Sequence, residues 1–353
     1  MRHFLVKSLP FSLFGLSALF LPLIASAHEV YVLPSDVVAK DLTMPSLGVF
    51  EIISTHAGQF FFWFFISIWA ILTVLSISLS KPLEKYLHPY FESLKRYAPL
   101  AGRLTLGSAI IASGYYGALF GPELPMSDFL PTIAIHPFKT FLIVAGTLIT
   151  VGLFTRIVAS LLVLIYLAMW VHYGTYMLTY TNYFGEMLLT IIVGNASHAL
   201  DRYFHHMYPY VFHEFLLWIE RHAFLILRVT FGISLIFASL YAKFLHAQLA
   251  IDTVITYNLT NYFPFDPEFI VLGAFAIELL LGLFFLLGIE VRFASLFLLF
   301  WLTLSLLYFG EVVWPHLILA GVAIAIFLHG YDRNTIEFRL LRKLNRRARE
   351  PVL

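Results

Sequence analysis

The sequence contains no cysteine. Disulfides, thiol redox chemistry and thiolate metal sites are thereby excluded, and any redox step needs a borrowed cofactor or a partner. Charge is scarce as well. Asp, Glu, Lys and Arg together make 12% of the 353 residues, too little polar surface to cover a soluble globule of this size. The motif repertoire of soluble enzymes is missing: there is no phosphate-binding glycine loop, no nucleophile elbow and no HExxH zinc motif. Apolar side chains take their place, at 60% of residues with 36 Phe, so lipid is expected to be the main solvent.

The first 27 residues read as a secretory leader, with Arg2 and Lys7 in a short basic region, an apolar run from about Leu9 to Ile24, and Ala25-Ser26-Ala27 as the cleavage site. After it come about nine apolar segments of membrane-spanning length. They fall at roughly 59–80, 103–120, 137–153, 157–177, 184–200, 224–245, 268–288, 292–309 and 312–330. An exported amino terminus and nine spans place the carboxyl terminus in the cytoplasm, and the basic residues agree with that orientation. On this threading Lys81, Lys85, Lys95, Arg96, Arg103, Arg156, Arg202, Arg221, Arg228, Arg292 and the cluster from Arg333 to Arg349 face inward. Only Lys40, Lys139 and Lys243 face outward, among acidic loops carrying Glu123, Asp128, Asp252, Asp266 and Glu268.

The chain also repeats itself. Arg103 and Gly107 recur 125 residues later as Arg228 and Gly232, and Tyr183-Phe184-Gly185-Glu186 returns at the same offset as Tyr308-Phe309-Gly310-Glu311. Each copy holds four apolar segments, so the repeated object is a four-helix unit, and an even number of spans makes the two copies parallel. Tight hairpins, Gly152-Leu153-Phe154-Thr155-Arg156 and Gly288-Ile289-Glu290-Val291-Arg292, join the second and third helices of each copy.

The second copy carries Arg228, Gly232, Ala238 and Lys243 on its first helix, Glu278, Gly282, Gly288 and Arg292 across its hairpin, and Asp332 after its last helix. This pattern resembles the DoxX/DoxD family of four-helix membrane proteins, here in tandem. The first copy keeps Arg103, Gly107, Gly146, Gly152, Arg156 and Asp201 but sets Ala118 opposite Lys243 and Leu142 opposite Glu278. The resemblance implies a small membrane subunit of a redox system, quinone-linked or antioxidant, whose working polar residues lie in the second copy. The chain would be at most an oxidoreductase subunit, in the cytoplasmic membrane of a bacterium or archaeon, with a redox-enzyme partner; its cofactor stays open, quinone being one candidate.

The expected fold is all-α and polytopic: a leader over 1–27, an exported segment with one extra helix and an interfacial linker over 28–102, a first repeat over 103–202, a linker over 203–223, a second repeat over 224–333 and a basic tail over 334–353. The tail's partner is anionic lipid rather than nucleic acid. Glu278 falls about ten residues into its span, on the order of 15 Å deep, and an intramembrane carboxylate is a functional candidate by default. With Lys243 it makes the candidate catalytic pair, although a lysine near the end of a span can equally snorkel to the surface. Glu186, Glu311, His316, His172 and His246 are expected to gather in an outer vestibule for a substrate or headgroup. No metal is expected there, because no two of these histidines share a helix face. Arg103, Arg228, Arg156, Arg292, Gly152 and Gly288 have structural readings, as surface-seeking or end-capping arginines and turn glycines. Two further functions remain open at this stage, a small-solute transporter using Glu278 and a non-catalytic scaffold.

Overall fold

A computed structural model describes residues 33, 35–44, 49–193, 199–203, 219–310 and 313–339. The leader, Glu311, most of the linker between the repeats and the tail beyond 339 lie outside them. Among the described residues the chain is all-α and forms no sheet. Its helices are α1 (Ser35–Asp41), α2 (Val49–His56), α3 (Phe60–Glu92), α4 (Ala98–Tyr116), α5 (Thr132–Val151), α6 (Thr155–Tyr173), α7 (Thr181–Val193), α8 (Ala223–Ser239), α9 (Ala247–Thr256), α10 (Pro267–Leu287), α11 (Val291–Phe309) and α12 (Val313–His329).

Six stretches are long and apolar enough to cross a membrane: Phe60–Leu79, Thr132–Val151, Thr155–Val193, Ala223–Leu245, Pro267–Leu287 and Val291–Phe309. Fewer qualify than the nine read from the sequence, and packing explains the difference. Helices α4, α7, α8 and α12 form a central group, with α4 on α12, α7 on α8, and weaker contacts between α4 and α7 and between α8 and α12. Backing them are α5 on α4, α6 on α7, α10 on α8 and α11 on α12. More than half of α4 is buried, including Arg103, Ser113 and three glycines. A helix solvated by protein needs less hydropathy than one solvated by lipid, so α4 falls short on composition; α12 falls short on length, and α6 and α7 run together in the single stretch Thr155–Val193. Helix α3 faces outward along most of its length, exposing Phe60, Trp63 and Ile71 to lipid.

The two halves exchange their last helices: the first helix of each packs on the last helix of the other more extensively than on its own. Glycines make these contacts possible. A Cβ on Gly107 would lie 2.7 Å from the Gly146 carbonyl oxygen, and one on Gly232 would lie 2.7 Å from that of Gly282. The α4–α5 and α8–α10 pairs therefore cross backbone to backbone. Across the exchange, Gly185 receives Thr230 and Gly321 receives Thr105 in the same manner. Both threonines bond back to carbonyls three and four residues earlier.

These matches correct the register of the repeat. Arg103 and Arg228 keep the offset of 125, but from the second helix onward the offset is 136, linking Gly146 with Gly282, Gly152 with Gly288 and Gly185 with Gly321. The change falls in the connection that contains α9. Tyr308-Phe309-Gly310 therefore ends α11 and corresponds to His172-Tyr173-Gly174, whereas Tyr183 to Glu186 lies within α7. The shared tetrapeptide is a coincidence of sequence. Glu186 corresponds to Val322 and not to Glu311.

Candidate functional site

Both interhelical hairpins are built alike. Gly152 and Gly288 adopt φ of 78° and 69°, followed two residues on by Phe154 and Glu290 at 52° and 51°. The amides of Leu153 and Ile289 reach back five residues to the carbonyls of Leu148 and Phe284, closing the helix ends. Asp201 accepts the Phe154 and Thr155 amides at 2.6 and 2.9 Å, and Glu337 accepts the Val291 amide at 3.2 Å. Glu337, rather than Asp332, is thus the counterpart of Asp201.

The arginines close this end of the bundle instead of snorkelling. Arg228 donates to the carbonyls of Phe285 and Leu286 at the end of α10 and to that of Asn334. The Arg103 guanidinium lies against Gly152, where a Cβ would come within 2.8 Å of Nη1. Arg292 donates to the Phe327 carbonyl at 2.9 Å, pairs with Glu84 of α3 and sits 5.0 Å above the Phe91 ring. Arg156 makes the weaker equivalent contact, to the Ile192 carbonyl at 3.4 Å. Carbonyls at helix ends attract cations, so desolvated arginines are held where four C-terminal oxygens would otherwise go unpaired. Glu337 lies among Glu290, Glu84 and Arg292. Burial, then the neighbouring carboxylates, pushes its carboxyl up to about 8.

At the opposite end a small cleft opens between the halves. Its walls are Phe120, Tyr176, Tyr180, Tyr183 and Tyr241, with Glu123, Asn182, Ser234 and His316 among them. The rings support one another: Phe120 lies 4.8 Å from Tyr183, and Tyr176 meets Tyr241 edge-on at 5.0 Å. Ser234 donates its hydroxyl to the Thr179 carbonyl, tying α8 to the turn before α7. Aromatic, aliphatic and polar side chains share the lining, and a mixture of apolar walls with a few polar groups is usual for a small-molecule site.

Lys243 and Glu278 form an ion pair of 2.9 Å, their side chains 5% and 19% exposed. The reach from the end of a span towards mid-membrane, which favoured snorkelling on sequence grounds, is closed by local geometry. Residues Leu240–Leu245 form a π-helical turn, which changes which side chains face α10. Tyr241 and Ala242 of the same turn line the cleft. Lys243 points away from it, so the pair pins to α10 the turn that presents Tyr241. In the first half, Ala118 and the fully buried Leu142 hold the corresponding positions.

The expected vestibule is only partly assembled. His316 lines the cleft. His246 stands behind it, its ring 4.7 Å from Tyr241. His172 is exposed at the end of α6 against Tyr173, Glu311 lies outside the described residues, and Glu186 is buried inside α7 rather than at an outer helix start. No group of three His, Asp or Glu among the described residues is poised to hold a metal. Sequence reasoning missed the tyrosines. Their signal was present, since Tyr176, Tyr180 and Tyr183 follow the i, i+4, i+7 spacing of one helical face.

Six membrane-length apolar helices and a core sealed against lipid define a polytopic integral membrane protein. Comparison with protein-family models, curated proteins and solved structures gives no match for the chain.

Proposed function

We propose that the chain is a membrane subunit that holds a planar, ring-bearing amphiphile of the quinone class in the cleft between its halves, in support of a quinone-linked or antioxidant redox partner. The observation that carries this reading is the cleft itself. Tyr176 and Tyr241, backed by the buried rings of Phe120, Tyr180 and Tyr183, offer an aromatic wall to a planar ligand, while Asn182, His316 and the tyrosine hydroxyls are of the type that hydrogen-bonds ring oxygens. The resemblance of Arg228, Gly232, Lys243, Glu278, Gly282 and Arg292 to the DoxX/DoxD pattern points the same way. In this reading α3 to α8 and α10 to α12 supply nine spans, counting α4, α7 and α12, which the other helices shield from lipid. A cleaved leader, an outward cleft and a cytoplasmic basic tail complete the topology. Lys243 and Glu278 act by positioning Tyr241 and do not touch the ring.

Photolabelling with an azidoquinone in native membranes tests this. Labelled peptides from α7, the π-turn of α8 and the start of α12, competed by unmodified quinone and diminished in Tyr241→Ala, are expected. Label confined to the lipid face of α3 would rule the cleft out.

A proton-coupled transporter for a small solute is the second reading. One observation favours it, the buried carboxyl of Glu186 on the α7 face that carries cleft-lining Asn182. Uptake into proteoliposomes driven by a proton gradient and absent in Glu186→Gln would select it.

A further inference from the structure

We infer that Glu186 is a proton-binding site buried between α7 and α4, and that it exchanges its proton with the cleft along the α7 face carrying Asn182. The Glu186 side chain is 0% exposed. Neither carboxyl oxygen has a hydrogen-bond partner among the described residues. A carboxylate stripped of water, donor and counter-ion is far costlier than the neutral acid, so binding a proton is the inexpensive way to satisfy the site.

The fold does not require the group. At the corresponding place in the second half Val322 and Leu227 are both fully buried in the apolar core, whereas the first half pairs Glu186 with Gly102. The glycine makes the room: a Cβ on Gly102 would lie 3.0 Å from Glu186 Oε1 and 3.5 Å from its carboxyl carbon. Two positions thus differ together, one gaining a carboxyl and the other giving up a side chain to accommodate it. A packing role alone would be met by the apolar pair.

The access route follows from helix geometry. Asn182 is four residues before Glu186, on the same face of α7 and about 6 Å nearer the cleft at 1.5 Å per residue. Helical side chains lean towards the amino-terminal end, which here is the cleft end. The charged and titratable groups on the elements around α7 are engaged elsewhere. Arg103 of α4 turns to the Gly152 hairpin, and Tyr166 of α6 donates to the Met177 carbonyl. Lys243, beyond α8, pairs with Glu278. His316 of α12 and Glu123 line the cleft. The reaction is the reversible transfer of one proton between water in the cleft and the carboxylate, and it needs no ring ligand to be bound.

Infrared spectroscopy of the full-length protein in lipid nanodiscs reads the protonation directly. The wild-type minus Glu186→Gln difference at neutral pH should contain the carbonyl stretch of a protonated carboxylic acid, shifting in D2O. Dicyclohexylcarbodiimide, which attacks protonated carboxyls in apolar surroundings, should modify Glu186, whereas a water-soluble carbodiimide should not. Carboxylate bands in place of the acid band would overturn the inference, and an acid band insensitive to D2O would overturn exchange with the cleft. Glu186→Val combined with Gly102→Leu, which copies the Val322–Leu227 pair, is expected to fold with undiminished thermal stability. Failure of both variants to fold would make the carboxyl structural and contradict the proposal.

Discussion

The ion pair of Lys243 and Glu278 is expected to be replaceable as a pair and intolerant of being broken. Lys243 is almost wholly buried and Glu278 about four-fifths buried, so neither can recover full hydration when its partner is removed. Truncating one member of a buried pair costs about 3–5 kcal/mol. Lys243→Ala should fall near the lower end of that range, about 3 kcal/mol, because the remaining exposure of Glu278 lets water reach one side of the carboxylate. Glu278→Leu should cost less, about 1–2 kcal/mol, since a lysine near the end of its helix can withdraw towards the headgroups. The double variant Lys243→Ala/Glu278→Leu writes the Ala118–Leu142 arrangement of the first half into the second. It should lie within about 1 kcal/mol of wild type, because two desolvated charges are exchanged for apolar contact. Reversible unfolding in mixed micelles of the four proteins measures the cycle. Additive losses, with the double variant the least stable of the set, would refute the reasoning.

Three further outcomes follow from the packing. Gly232→Ala should destabilise by about 1–3 kcal/mol by forcing α8 away from α10, with a similar loss for Gly107→Ala, read by thermal unfolding in detergent; unchanged stability would contradict backbone-to-backbone crossing. Glu337 lies beyond the end of α12, and its carboxyl is raised to about 8 from 4.5, so the folded state binds the extra proton between those values. Its contribution is therefore complete below about 4.5 and declines as pH rises to about 8, with a slope of at most about 1.4 kcal/mol per unit; Glu337→Gln should flatten melting temperature against pH in that window. Arg292→Ala should cost about 3–5 kcal/mol by leaving Glu84 buried without its cation, and Glu84→Gln should cost markedly less, as compared by the same unfolding assay.

Much of this fold was written locally. Gly152 and Gly288 announce the hairpins because a left-handed turn at a helix end favours glycine, and Arg103, Gly107, Arg228 and Gly232 announce the first helix of each half. The tetrapeptide ending in Glu186 and Glu311 misled because a four-residue identity carries no depth. The inserted connection containing α9 moved the true correspondence by 11 residues, from an offset of 125 to one of 136, which the hairpin glycines recorded. The exchange of last helices was hidden too. It depends on which apolar face meets which, and Gly185 and Gly321 look alike on any packed helix. For the site, Lys243 and Glu278 were legible as costly residues, but their meeting depends on a π-turn without a sequence signature. The cleft tyrosines come from the π-turn that follows α8, from the segment leading into α7 and from α7 itself, and their convergence is a product of the tertiary fold.

The central assignment is a ring-bearing amphiphile seated between the halves, and native mass spectrometry tests it most directly. The protein would be extracted gently from its own membrane, and the released lipid assayed for quinone. One quinone retained per chain, and lost when Tyr241 and His316 are both replaced by Ala, is expected. A chain carrying structural lipid alone, with or without those substitutions, would contradict the assignment.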